Sequence, residues 1–399
     1  MNLMKCKKYI FFLVLLITLN QAHAKGIIGY DWYWGIETIN QVDYFMIDLK
    51  PEVNYSVFHL KLNIPIEINT NWNINKNHWQ NNNDIVSKID HLSFSDSNYL
   101  FQICSLNNLT MANGELINDY ADNILEPLTF LKAVQAFYAY QNYSFNFVLD
   151  DINHANLFFL QATYQSERLK TGLLYTLDNN VFEEILVNNQ ERVSFINPFI
   201  DYQLYSGKDF NLTFENDYIR SLQSYQLKNN NTFVSGLKGD YSDFLSFSLK
   251  GKYIQNYMPG KIYFNKFYFI ERADYNNLIV TANSWGIAPG IGINFFDWIQ
   301  LDLAIDKVQG INPYGKFVIS TSKDFPSKIK SSCSIYNRNI INWSDLFSEK
   351  EYLTYFLVQN SVALSENLYL KLDYLKSFHY DQGVPRGVHQ ILFYSEFVF

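Results

Sequence analysis

Apolar residues fall on every second position, run after run, from one end of this chain to the other. Ile28, Tyr30, Trp32, Trp34 and Ile36 alternate with Gly29, Asp31, Tyr33, Gly35 and Glu37. Phe58, Leu60, Leu62, Ile64, Ile66 and Ile68 alternate with His59, Lys61, Asn63, Pro65 and Glu67. The same grammar returns in 245–253, where Leu245, Phe247 and Leu249 oppose Ser246, Ser248, Lys250 and Lys252, and again in 299–306 and 368–373. A period of two is the period of a β-strand with unlike faces, because successive side chains point to opposite sides. Six alternate apolar positions in one run suit a strand of about 9–11 residues that crosses a bilayer, and exceed the usual sandwich strand.

The ends of the chain fix an address for such strands. Lys5, Lys7 and Lys8 precede an apolar run over 9–19, and Ala22-His23-Ala24 offers small residues on either side of a cleavage point. This is the layout of a secretory leader over residues 1–24, so the mature chain is expected to begin at Lys25 and fold as one unit over 25–399. Beyond the leader no stretch approaches the roughly 18 apolar residues of a membrane helix. Yet 18% of the residues are aromatic, with 33 Phe and 30 Tyr, and only 18% are charged. A membrane β-barrel takes both facts, since its lipid face and interfacial girdles use aromatics while its lumen and loops use polar residues.

The last run, with Ile391, Phe393, Ser395, Phe397 and the terminal Phe399 on one face, resembles the C-terminal strand by which outer-membrane barrels of diderm bacteria are recognised for assembly. That resemblance implies the bacterial outer membrane as location, and outer-membrane lipid and the barrel-assembly machinery as partners. A second block runs from Lys88-Ile89-Asp90-His91 through Leu109-Thr110-Met111-Ala112-Asn113-Gly114 to Asn118-Asp119-Tyr120. It resembles a block of uncharacterised, porin-like outer-membrane barrels of diderm bacteria such as spirochaetes, although it carries Asp, Ser and Asn where those proteins have Gly and Arg. The family has no assigned activity to carry over.

Turn signals divide the chain further. Tight links at 54–56, 141–142, 206–209, 296–297 and 365–366 alternate with long polar ones at 69–85, 107–127, 179–191, 221–231, 255–284 and 338–350. Short turns on one rim and long loops on the other are the plan of a single transmembrane antiparallel up-and-down barrel. About 20 strands are expected, within a range of 16–20, with no plug domain, the first strand (27–38) paired with the last (388–399). Over 121–137 near-helical spacing competes with a strand from about Thr129; the strand is preferred.

Removing the three leader lysines takes the formal net charge of −8 to −11, which argues against nucleic acid as a partner. The two cysteines outside the leader, Cys104 and Cys333, fall on opposite faces of the wall and are expected to be free thiols. No two histidines outside the leader stand at ligand spacing, and neither a nucleophile elbow nor a phosphate-binding glycine loop occurs, so no enzyme activity, cofactor or metal is expected. Gly286, Gly290 and Gly292 share one strand face and read as making room in the lumen. A lipid hydrolase, using His59 with Ser56 or else His154, and an adhesion or structural barrel are the alternatives to a passive pore for small polar solutes or ions.

Pore-lining candidates follow from the loop 107–127. In general porins one long loop folds inward and sets acids against basic wall residues. Here the loop offers Glu115 and Asp119, and the lumen-side faces offer Lys61, Lys250, Lys252 and Lys371. A field between them would sort small solutes by charge and orientation. The oligomeric state is not legible.

Overall fold

The computed structural model describes residues 28–39, 42–69, 73–74, 88–106, 109–114, 117–120, 132–150, 152, 157–179, 193–223, 231–255, 283–295, 298–310, 314–321, 329–337, 354–365, 368–381 and 384–398. Strands β1 (Ile28–Ile39), β2 (Val42–Tyr55), β3 (Phe58–Leu62), β4 (Ile64–Asn69), β5 (Ile89–Ser95) and β6 (Tyr99–Cys104) lead into a short hairpin, β7 (Leu109–Met111) and β8 (Ile117–Tyr120). The chain continues through β9 (Ala133–Tyr140), β10 (Tyr143–Leu149), β11 (Leu157–Gln165), β12 (Leu169–Asp178), β13 (Val193–Ser206), β14 (Phe210–Gln223), β15 (Asn231–Tyr241) and β16 (Leu245–Gln255). It ends with β17 (Ser284–Phe295), β18 (Ile299–Val308), β19 (Tyr314–Thr321), β20 (Ile329–Asn337), β21 (Thr354–Ala363), β22 (Leu368–Asp381) and β23 (Val384–Val398).

Every strand except β7 and β8 belongs to one antiparallel sheet of 21 strands. Both β3 and β4 pair with β2, the first over Glu52–Tyr55 and the second over Tyr44–Leu49. They are one crossing interrupted at Asn63, beside a register shift between Lys61 and Leu62. The run expected from Phe58 to Ile68 keeps one register against β2, with Glu52 opposite Lys61 and Leu49 opposite Ile64, so about 20 crossings remain. The sheet closes because Asp31–Gly35 of β1 pair with Tyr394–Val398 of β23. Closure gives every wall strand two neighbours, as a bilayer interior demands. The last strand starts at Val384, four residues before its expected start, and Phe399 lies outside the described residues. So does most of 121–137; the strand there is β9, which starts at Ala133.

Connections at 56–57, 141–142, 207–209, 242–244, 296–298 and 364–367 share one rim. The long links expected from composition all leave the other rim, although 40–41 and 382–383 are short links there as well. Two bands of aromatic rings run around the described wall, in the arrangement that girdles take in membrane barrels. Near the short-turn rim, Phe58 meets Phe94, Tyr143 meets Tyr164, and Phe210 stacks on Phe247. Toward the long-loop rim, Phe158 meets Tyr175, Tyr218 meets Phe233, and Tyr253 meets Trp285. On β17 the two bands touch Phe295 and Trp285, which stand roughly 33 Å apart along the strand. At the strand tilt of membrane barrels that separation is a band about 25 Å tall.

Between the bands the outer face is apolar and open, with Leu249 and Ile287 each 57% exposed. The opposite face of the same strands carries Ser246, Ser248, Lys250 and Lys252 beside Ala288 and Gly290. Gly286, Gly290 and Gly292 fall on this inner face, and a Cβ on Gly292 would stand 2.8 Å from Asp302 Oδ1. Gly290 and Gly292 leave room for the side chains of Ser248, Ser246 and Asp302, whereas Gly286 stands against the Lys307 carbonyl and Val308. Cys104 shares the inner face with Gln102, while Cys333 sits opposite the outward Ile319; neither is in a disulfide.

Candidate functional site: an inward hairpin and the wall it meets

The hairpin β7–β8 turns on Met111–Gly114, closed by the bond from Gly114 N–H to the Met111 carbonyl (3.0 Å). Ala112 has φ 51 and Gly114 φ 76. Gly114 holds such a value at no steric cost, whereas Ala112 does not. The tip is fixed from outside the hairpin. Ala112 N–H donates to Gln161 Oε1 of β11 (2.8 Å), and Asn113 Nδ2 donates to Asp217 Oδ2 of β14 (3.0 Å). Lys250 Nζ of β16 donates to the Asn113 carbonyl (3.2 Å), and the Asn113 side chain also reaches Asp201 of β13.

The residues that receive the tip form their own network on the inner wall. Lys250 pairs with Glu215 (2.9 Å), Lys170 with Asp201 (3.6 Å), and Lys252 with Asp306 (2.9 Å). Asn197 Nδ2 donates to Asp217 Oδ1 (3.1 Å), so one carboxylate holds wall and hairpin together. Bonds to a carboxylate or an ammonium are roughly twice as strong as neutral ones. Around this network the inner wall is dry. Leu157, Phe159, Leu174, Phe195 and Ile254 face inward and have no exposed surface, while Met111 and Ile117 of the hairpin are equally buried. Inward apolar residues in a fully wetted lumen would stay exposed; here they form a packed layer inside the barrel.

The sequence candidates divide between two places. Lys250 touches the hairpin. Lys252, two residues on, takes the inner face but is only 5% exposed and sealed against Asp306. Lys61 lies on another sector, 3.8 Å from Glu52, whose other oxygen is 3.3 Å from His59 Nε2. Lys371 lies on β22, in a polar groove of the inner wall shared with Lys330 and Asp373. Glu115 falls outside the described residues, and of Asp119 only the backbone, within β8, is described. Sequence reading missed Asn113, Gln161, Asp201, Glu215 and Asp217. An Asn-Gly pair in a long loop is a turn signal, and the acids stand at inward alternate positions. Their meeting across 104 residues, Asn113 to Asp217, has no local signature.

Among the described residues no group of three His, Cys, Asp or Glu side chains is placed to hold a metal ion. His59 lies on the inner face with His91, ring centroids 4.7 Å apart, and His154 lies outside the described residues.

No protein-family model matches this chain, and no curated protein does either. Among solved structures it is similar to a copper transporter, OprC, with a TM-score of 0.42, 10% identity, and coverage of 93% of this chain and 80% of that one. Acinetobacter baumannii OccAB2 gives 0.38 and 10%, covering 93% and 96%. Pseudomonas aeruginosa OccK5 (OpdH) gives 0.39 and 8%, covering 93% and 98%. These names give no support to the narrower expectation of a spirochaete lineage. At such identities the barrel rests on the chain's own hydrogen-bond register, a closed antiparallel wall with one hairpin folded inside.

Proposed function

We propose that this chain is a passive outer-membrane pore for small polar solutes or ions, narrowed to an off-centre water path. One observation carries the reading: the tip Ala112–Asn113 hydrogen-bonds to three inner-wall strands of a closed barrel. An inward hairpin shrinks the lumen without closing the opposite wall. In this reading the leader is cleaved after Ala24, outer-membrane lipid surrounds the apolar band, and the closing strand with Phe399 engages the assembly machinery. Deleting Phe399 then lowers outer-membrane levels while export across the inner membrane continues. In this reading Glu115 and Asp119 of the same loop line the constriction and bias the path toward cations. A lipid hydrolase is disfavoured because His59 lies inside the wall, away from the outer lipid surface.

Planar-bilayer recording of the refolded protein tests the proposal. Stepwise single-channel currents are expected. Absence of conductance in correctly folded, heat-modifiable protein would overturn the pore and leave the adhesion or structural barrel.

A further inference from the structure

The inner face of β20–β22 is unlike the wall that holds the hairpin. Lys330, Ser361 and Lys371 stand side by side in one cross-strand row, and Ser332, Gln359 and Asp373 form the next row on the same face. Same-face rows are about 7 Å apart. A cavity of about 280 Å³ lies against both rows, open toward the lumen, and Lys330 and Gln359 are exposed. Its volume falls below the usual range for drug-sized ligands, so it suits a solute of a few carbons.

The chemistry of the rows narrows the class. One row presents two ammonium groups and a hydroxyl; the other presents a carboxylate, an amide and a hydroxyl. An anion that reaches both rows meets Asp373, and a cation that reaches both meets two lysines. A molecule carrying both signs meets a complementary charge at each end. The described lining residues are all polar or charged. We infer that this groove is a contact site for small zwitterionic solutes, with the anionic end toward Lys330 and Lys371 and the cationic end toward Asp373 and Gln359. The inference rests on the pore reading and names the solute class that the path prefers.

Vesicles containing the refolded barrel test it, with swelling followed in iso-osmotic β-alanine, sodium propionate and propylammonium chloride. These three have similar size and carry both charges, the negative one and the positive one. β-Alanine is expected to enter about threefold faster than either single-charge solute, the scale of an exposed charge contact. Lys371→Met or Asp373→Asn brings the ratio to about one. The exchange Lys371→Asp with Asp373→Lys keeps both signs and restores most of the preference, which a merely structural role would not do. A wild-type ratio near one, or a ratio that neither single change moves, overturns the inference while the pore stands. No swelling with any of the three overturns the pore itself.

Discussion

The inner faces of β11–β16 and of β20–β22 obey the same alternation and meet opposite fates. On the first, Phe159, Leu174, Thr176, Phe195 and Asn197 are all wholly buried, on the same wall that holds the hairpin tip through Gln161 and Asp217. On the second, Lys330 and Gln359 are exposed and Ser332, Ser361, Lys371 and Asp373 half-exposed, because an open space of about 280 Å³ lies against them. Inward-facing is therefore not the same as pore-lining. Lys252 on the covered wall is a sealed structural ion, whereas Lys330 on the open wall is exposed.

The largest effect expected from this difference is on stability. Lys252→Met leaves the Asp306 carboxylate buried without its ammonium, a loss of about 3–5 kcal/mol. Lys371→Met on the open wall should stay within about 1 kcal/mol. Urea unfolding of both variants in the same lipid checks this, and equal losses would erase the distinction between the walls. Next in size is Asp217→Ala, which removes the acceptor of both Asn113 and Asn197 at a cost of about 1–3 kcal/mol. Its hairpin should detach part of the time, seen as larger and noisier open-channel currents; an unchanged trace would mean that the tip contributes nothing to the narrowing.

A smaller effect of the opposite sign is expected at the turn. Ala112→Gly relieves a left-handed residue, worth up to about 1 kcal/mol after the added freedom of the unfolded chain is subtracted. It should quiet the same current noise, and a noisier channel would contradict the strain at φ 51. The smallest is electrostatic. Neutralising Glu115 and Asp119 to Gln and Asn should lower cation preference slightly, most at low salt where screening is weak. A salt-gradient reversal potential measures it, and a constant value places both acids away from the water path.

What could be read in the sequence was whatever depends on nearest neighbours along the chain. The faces of Phe58, Lys61, Leu249, Lys250, Leu301 and Asp302 follow from a period of two, and the rims follow from turn composition. The break at Asn63 was hidden because Ile64, Ile66 and Ile68 resume the same face beyond it. The division into covered and open walls was hidden for another reason. Lys250, Lys252 and Lys371 look alike in sequence, and only the position of a hairpin more than a hundred residues away separates them. Asn113 and Asp217 acquire meaning as a pair, and pairs across a barrel lumen have no linear signature.

The closing seam has a mechanical consequence. β1 shares five residue pairs with β23, whereas β22 shares fourteen with the same strand and β1 twelve with β2. Short joints carry lateral load on few hydrogen bonds, and Asp31–Gly35 with Tyr394–Val398 form one of them, alongside the five-pair joints β3–β5 and β5–β6. Amide exchange should therefore run faster along these three lines than along the fourteen-pair joint of β22 and β23, and a sideways parting of the wall would begin at one of them.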